Sequence, residues 1–128
     1  MKPSSAKAKG RRLQQWVMQR VADLLHMPCG PDTRIASREM GQNGVDIRLV
    51  GRAALLFPFS VECKNCERWN FPEWISQATA NETVEMPWLI VAKRNNENPV
   101  AMLDAEVFFC MMEHILKTGE FFHPRGEE

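Results

Sequence analysis

Three charged side chains near the middle of the chain have the types and the spacing to hold a divalent cation. Asp46 is framed by branched apolar residues, and Glu62 and Lys64 lie two positions apart further along. Because successive side chains of a β-strand point to opposite faces, Glu62 and Lys64 would share one face, and a neighbouring strand could add Asp46. Two close carboxylates repel each other, and a cation that takes oxygen ligands, such as Mg²⁺, would remove that cost.

The alternative is that this Glu-x-Lys triplet is ordinary solvated charge on an exposed strand. The triplet follows the apolar run 57–61, which favours an interior strand. The distance along the chain from Asp46 to Glu62 is enough for two strands and a turn. These features favour a site over a solvated surface.

The surrounding pattern predicts a mixed α/β domain that would bring these residues together. Short apolar runs predict strands over 34–37, 45–50, 55–64, 88–92 and 99–103, with the third either bulging at Pro58 or starting after it. Helices are predicted over 9–26, 72–84 and 105–117, and Gln77 and Asn81 stack on one flank of the second. One apolar stripe of the first helix, with Gln14 at its edge, consists of Leu13, Val17, Val21, Leu24 and Leu25. The size of the chain favours a single domain over 9–128, preceded by a mobile basic tail over 1–8.

The distribution of charge indicates a nucleic-acid partner more clearly than its total does. The formal net charge is zero, yet residues 1–22 contain no acidic residue and contain Lys2, Lys7, Lys9, Arg11, Arg12 and Arg20. Such a segment can neutralise phosphates, or it can simply be a solvated tail. The glycine-containing loop 37–44 either connects two strands or allows a nucleic-acid backbone to approach Asp46.

The cysteines and the hydropathy of the chain favour a cytosolic protein. No apolar run approaches the length of a membrane span, and the amino-terminal residues lack the apolar core of a signal peptide. Cys63 and Cys66 form a C-x-x-C pair, but no second pair or histidine cluster lies at ligand spacing. We therefore expect free thiols in or near the core rather than a zinc or redox site.

The carboxyl-terminal helix is apolar on more than one face. A surface helix usually needs a single apolar stripe, whereas this one contains Val107, Phe108, Phe109, Met111, Met112, Ile115 and Leu116. Either ordinary core packing explains this composition, or the helix also meets a partner subunit.

Taken together, these stretches resemble the PD-(D/E)xK nuclease superfamily, in particular archaeal-type Holliday junction resolvases and related small phage endonucleases. The matching stretches are 9–11 at the start of the first helix, Ser37, 44–47, 61–65 and Gln77. The resemblance extends over roughly residues 9–93. It implies a restriction-endonuclease-like mixed β-sheet flanked by α-helices.

The resemblance also implies an active site and a cofactor. Mg²⁺ or Mn²⁺ would be bound by Asp46, Glu62 and the backbone carbonyl of Cys63, and Lys64 would orient the attacking water. Gln77 and Ser37 complete the implied catalytic set, with Ser37 near the scissile phosphate. The expected products are a 5′-phosphate and a 3′-hydroxyl.

One position departs from the family pattern. The resolvases have a glutamate on the first helix that assists the metal site, and the matching residue here is Gln14. A neutral amide can hold a metal ligand through water but adds no charge. Glu39 in the neighbouring loop is a candidate to compensate.

Three functions remain open on the sequence alone. The first is a metal-dependent endonuclease acting on branched DNA in phage DNA processing or recombination, as a homodimer in the host cytoplasm. The second is a non-catalytic nucleic-acid-binding module that retains the fold, which the glutamine at position 14 favours. The third is an interaction protein that works through its apolar carboxyl-terminal helix.

Overall fold

The computed structural model describes residues 3–38, 44–119 and 121–126, and these form a five-stranded mixed sheet flanked by helices. The predicted α/β class is therefore confirmed. In chain order the elements are α1 (Pro3–Leu25), β1 (Ile35–Ser37), β2 (Ile47–Leu49), α2 (Arg52–Leu56), β3 (Ser60–Asn65), α3 (Phe71–Asn81), β4 (Trp88–Lys93), β5 (Val100–Leu103) and α4 (Ala105–Thr118).

The order of the strands in the sheet follows their order in the chain, β1-β2-β3-β4-β5. Strands β1, β2 and β3 pair antiparallel, β3 and β4 pair parallel, and β5 returns antiparallel to β4. The parallel pair requires a crossover, which α3 provides. Both β3 and β4 are interior strands, so the two longest strands form the centre of the sheet.

Two apolar clusters hold the helices against opposite faces of the sheet. On one face α1 packs against Ile35, Ile47 and Val61. On the other face Trp74 and Ala78 of α3 pack against alternate residues of β4, which are Trp88, Ile90 and Ala92. Because Val61 and Cys63 lie on the α1 side, alternation places Glu62 and Lys64 on the α3 side.

The first helix differs from its prediction at its start and in its buried face. It begins at Pro3 rather than at residue 9, since proline suits the first helical turn and the Lys and Ala residues that follow are good helix formers. Leu24 is 64% exposed, at the margin of the face. Gln14 lies in the middle of the buried face rather than at its edge, and is flanked there by Leu13, Val17 and Met18.

The segment after Gly51 is helical where a turn and the approach to a strand were predicted. Leu55 and Phe57 donate backbone hydrogen bonds to the carbonyls of Gly51 and Ala53, closing helical turns. Burial of Ala53 against the core anchors this short helix. The strand itself begins at Ser60, after Pro58, as one of the two predicted alternatives requires.

Ordinary core packing, one of the two explanations offered for the composition of α4, accounts for little of it. The helix contains no buried residue, although it has a well-formed Asp104 cap and ends at the left-handed Gly119. Val107 alone contributes to the main cluster, as a partly buried side chain.

None of the helices in the described ranges combines the length and the hydropathy that crossing a bilayer would require.

Candidate active site

The candidate site lies where β2 and β3 separate. Ile47 pairs with Val61, and the Asp46 N–H still donates to the Val61 carbonyl at 3.0 Å. Beyond that point the Asp46 carboxylate takes the place of the β2 backbone as the hydrogen-bond partner of β3. Its Oδ2 accepts a 2.7 Å hydrogen bond from the Cys63 N–H. The side chain of Asp46 is thus fixed at the fork between the strands.

Helix α3 positions the other two charged side chains. The Asn81 Nδ2 donates to Glu62 Oε1 at 2.9 Å, and Lys64 Nζ donates to Gln77 Oε1 at 3.0 Å. Asn81 and Gln77 are four residues apart, so they present their amides on one side of the helix. The sequence predicted that these two amides lie on one flank of the helix. In the structure each of them binds a charged side chain of β3.

The carbonyl of Cys63 opens on the same fork. In an antiparallel ladder the N–H and C=O of one residue point to the same neighbouring strand. Because the Cys63 N–H points to Asp46, its carbonyl also faces the side from which β2 has diverged. The backbone therefore supplies a third oxygen near the two carboxylates, in the direction that the resemblance implies for a ligand.

Arg38 is a charged residue of this site that the sequence did not reveal. One of its terminal nitrogens lies 2.8 Å from Asp46 Oδ1, and the other donates to the Gly44 carbonyl. The Arg38 and Asp46 side chains are only 22% and 9% exposed, so this ion pair is largely buried. The only signal in the sequence was the position of Arg38 directly after the predicted first strand.

Burial and the neighbouring Asp46 carboxylate raise the pKa of Glu62 above its ordinary value. Desolvation is the largest cause, and the hydrogen bond from Asn81 and the charges of Lys64 and Arg38 oppose it only in part. A cation bound between the carboxylates would favour the ionised form of Glu62 and reverse the shift. Such a cation would add to the partial compensation that Lys64 and Arg38 already provide.

The thiols nearby are not prepared for chemistry. Burial raises the pKa of Cys63, and the adjacent carboxylates raise it further. Burial also raises the pKa of Cys66. The thiolate is the form that binds metals and attacks disulfides, so these shifts lower the reactive fraction of both cysteines at neutral pH. That the C-x-x-C pair is neither a zinc nor a redox site stays a prediction.

Replacing Glu62 by glutamine should alter the pH dependence of stability. Because the pKa of Glu62 is raised from 4.5, the folded chain holds this proton more tightly than the unfolded chain. Stability contributed through Glu62 is therefore greatest below its unfolded pKa and falls as pH rises through the folded value. We expect Glu62→Gln to be more stable than wild type at neutral pH, and the gain to shrink in acid. Urea unfolding from about pH 4 to about pH 8 measures this, and a pH-independent difference would contradict it.

The structure does not join Ser37 or Gln14 to the charged cluster by hydrogen bonds. Ser37 accepts a 2.9 Å hydrogen bond from Gln15 on the α1 side of the sheet. Gln14 is 8% exposed and lies on α1, and between the described side chains there is no hydrogen bond from it to Asp46 or Glu62. A role for either residue through water or phosphate stays a prediction. Glu39 and most of the loop 37–44 lie outside the described residues.

The chemistry of the donors fits a hard divalent cation with an incomplete protein shell. Asp46 and Glu62 supply carboxylate oxygens and Cys63 supplies a carbonyl, the ligand types that Mg²⁺ prefers. Within residues 3–38, 44–119 and 121–126 no group of three or more His, Cys, Asp or Glu side chains is arranged to hold a metal. Water and substrate phosphate would have to complete the shell, and the cation would compete with Arg38 for Asp46.

Comparison with known proteins leaves the chemistry of the site as the main evidence. No protein-family model, curated protein sequence or solved structure matches the chain. The resemblance to PD-(D/E)xK nucleases therefore depends on the quoted residues and on their arrangement.

Proposed function

We propose that this chain is a metal-dependent DNA endonuclease of the PD-(D/E)xK type that hydrolyses phosphodiester bonds in branched DNA. The observation that supports this best is the convergence of Asp46, Glu62 and Lys64 at one fork of the sheet. The electrostatic cost of grouping two carboxylates and a lysine is lowest where a divalent cation and a phosphate complete the charge balance. Lys64 is partly exposed, so its ammonium group can meet a substrate phosphate.

The residues of the site have separable roles in this proposal. Asp46 and Glu62 would hold Mg²⁺ or Mn²⁺, which would provide Lewis acidity and a more acidic water next to the phosphate. Lys64, held by Gln77, would orient the attacking water and neutralise charge that develops on the phosphate in the transition state. Asn81 would keep the Glu62 carboxylate turned towards the cation, as outer partners of metal ligands commonly do.

A four-way junction and a plain duplex, each incubated with Mg²⁺, Mn²⁺ or EDTA, form the decisive assay. We expect metal-dependent cleavage that leaves a 5′-phosphate and a 3′-hydroxyl, with the junction preferred. If neither junctions, flaps nor duplexes are cut with either metal, the proposal fails.

A non-catalytic nucleic-acid-binding module is the alternative, and the ion pair of Asp46 with Arg38 favours it. Because Arg38 already neutralises the Asp46 carboxylate, that charge can be balanced without a metal ion. Gln14, at the position where the resolvases have a glutamate, also favours a non-catalytic module. In the assay above this alternative gives salt-sensitive DNA binding with no metal-dependent cutting.

The exposed α4 helix supports a homodimer as part of this proposal. Its outward side chains include Phe108, Phe109, Met111 and Leu116, between 43% and 73% exposed. Contiguous apolar surface of this kind usually marks an interface, and a two-fold dimer would match the symmetry of a junction. The interaction-protein hypothesis relies on the same surface, but it assigns no function to the charged side chains at the fork.

Charge introduced into α4 should therefore dissociate the dimer. We expect Phe109→Glu to shift the molecular mass measured by light scattering from dimer to monomer. Leu55→Glu, a substitution at an even more exposed apolar side chain of α2, should leave the dimer intact. A wild-type chain that is monomeric at every concentration would contradict this part of the proposal.

A further inference from the structure

A cavity of about 580 Å³ lies on the α1 side of the sheet, between the middle of α1 and the carboxyl-terminal ends of β3 and β4. Its volume is within the range of pockets that bind small organic groups. Asn65, which follows Lys64 at the end of β3, is part of its wall, whereas Lys64 itself points to the other side of the sheet. The polar and aromatic lining includes Lys9, Arg12, Trp16, Asn65, Lys93 and Asn95.

The α1 wall of the cavity combines positive charge with an aromatic ring. Lys9, Arg12 and Trp16 recur at helical spacing, so they form one stripe. Trp16 is 47% exposed, so part of its ring is accessible from the cavity. The Arg20 guanidinium lies 6.0 Å from its ring centroid, one turn further along the stripe.

The wall contributed by the sheet holds an unsatisfied polar atom. Asn65 Nδ2 donates to the Lys9 carbonyl, which ties β3 to α1, while Asn65 Oδ1 is buried without a hydrogen-bond partner among the described residues. Buried acceptors of this kind are rare and usually meet a ligand or water. Glu67 accepts from the Asn95 N–H and thereby fixes the turn that closes the cavity.

From these observations we infer that the cavity binds a single unpaired nucleotide of a DNA strand that passes over the carboxyl-terminal end of β3 to the fork. The inference rests on the proposed function, because it names which feature of the DNA the chain recognises. Trp16 stacks on the base, as aromatic residues do in single-strand binders. Lys9, Arg12 and Lys93 bind the flanking phosphates.

Binding can be tested without cleavage, by fluorescence anisotropy in EDTA. The probes are a duplex with a short single-stranded overhang and a blunt duplex with the same number of phosphates. We expect the wild type to prefer the overhang, and Trp16→Ala to weaken overhang binding by about 5- to 150-fold, the range that loss of one stacking partner produces. Blunt-duplex binding should change little.

Matched variants separate stacking from folding. Trp16→Phe keeps a ring and should retain part of the preference, whereas Leu24→Ala, at an exposed apolar residue of the same helix, should bind as the wild type does. Thermal melting of each variant checks that it is folded. Equal binding of the overhang by Trp16→Ala and the wild type would overturn the inference.

Charge is tested through the salt dependence of the same binding. Lys93→Gln should lower the slope of log affinity against log salt by about one, whereas Lys117→Gln on α4 should not. Equal slopes for both variants would count against phosphate binding in the cavity. Competition by free thymidine monophosphate as strong as that of the overhang strand would overturn the assignment to a DNA strand.

The outcomes for the two proposals are distinguishable. Trp16-dependent overhang binding by a chain that cuts no DNA would retain the nucleotide site and reject the nuclease. Metal-dependent cleavage with no effect of Trp16→Ala on binding would retain the nuclease and reject the site.

Discussion

Replacing Lys64 by alanine is expected to slow DNA cleavage by about 10²- to 10³-fold, the effect of losing one preorganised group that stabilises transition-state charge. The free energy of unfolding should change little. Lys64 is half-exposed, and its ammonium group makes one described hydrogen bond, to Gln77. Removing the Lys64 side chain therefore leaves no buried group without a hydrogen-bond partner. It takes a donor only from the amide of Gln77, which is exposed.

Single-turnover cleavage of a junction with saturating enzyme is the measurement, because it separates chemistry from binding. Lys117→Ala, which removes an equally cationic side chain from an exposed pair on α4, is the control and should cleave at the wild-type rate. Gln77→Leu should fall between the two, since it frees the ammonium group without removing it. Wild-type cleavage by Lys64→Ala would remove the lysine from the mechanism.

The sequence predicts the charged cluster because the cluster depends on the spacing of residues within single strands and helices. Alternation along one strand places Glu62 and Lys64 on the same face, and apolar flanks mark that strand as interior. Helical spacing likewise puts Gln77 and Asn81 on one side of α3. These features depend only on the period of each element, which the residues themselves determine.

Arg38 and α4 could not be predicted in the same way, because they depend on tertiary arrangement. The Arg38–Asp46 pair requires the register of β1 on β2 and the direction of the intervening chain. The exposure of α4 depends on where the sheet ends, and its apolar composition fits a buried helix equally well. The position of Gln14 in the middle of a buried face also emerged only once Met18 was seen to be buried.

Replacing Asp46 by alanine is expected to lower the free energy of unfolding by about 3–5 kcal/mol, in addition to abolishing cleavage. The reason is that Asp46 neutralises the largely buried Arg38 and accepts from the Cys63 N–H. Alanine would leave a guanidinium group without its counter-ion and a strand N–H without its acceptor.

A double-mutant cycle in urea tests this explanation. Adding Arg38→Met to Asp46→Ala should recover part of the lost stability, because the uncompensated charge is removed with its partner. Glu113→Ala breaks the exposed pair with Lys117 and should cost no more than about 1 kcal/mol. If the double variant is less stable than Asp46→Ala alone, Arg38 stabilises the fold independently of the carboxylate. Asp46→Asn keeps an acceptor for Cys63, so it is the better variant for measuring lost catalysis in a folded protein.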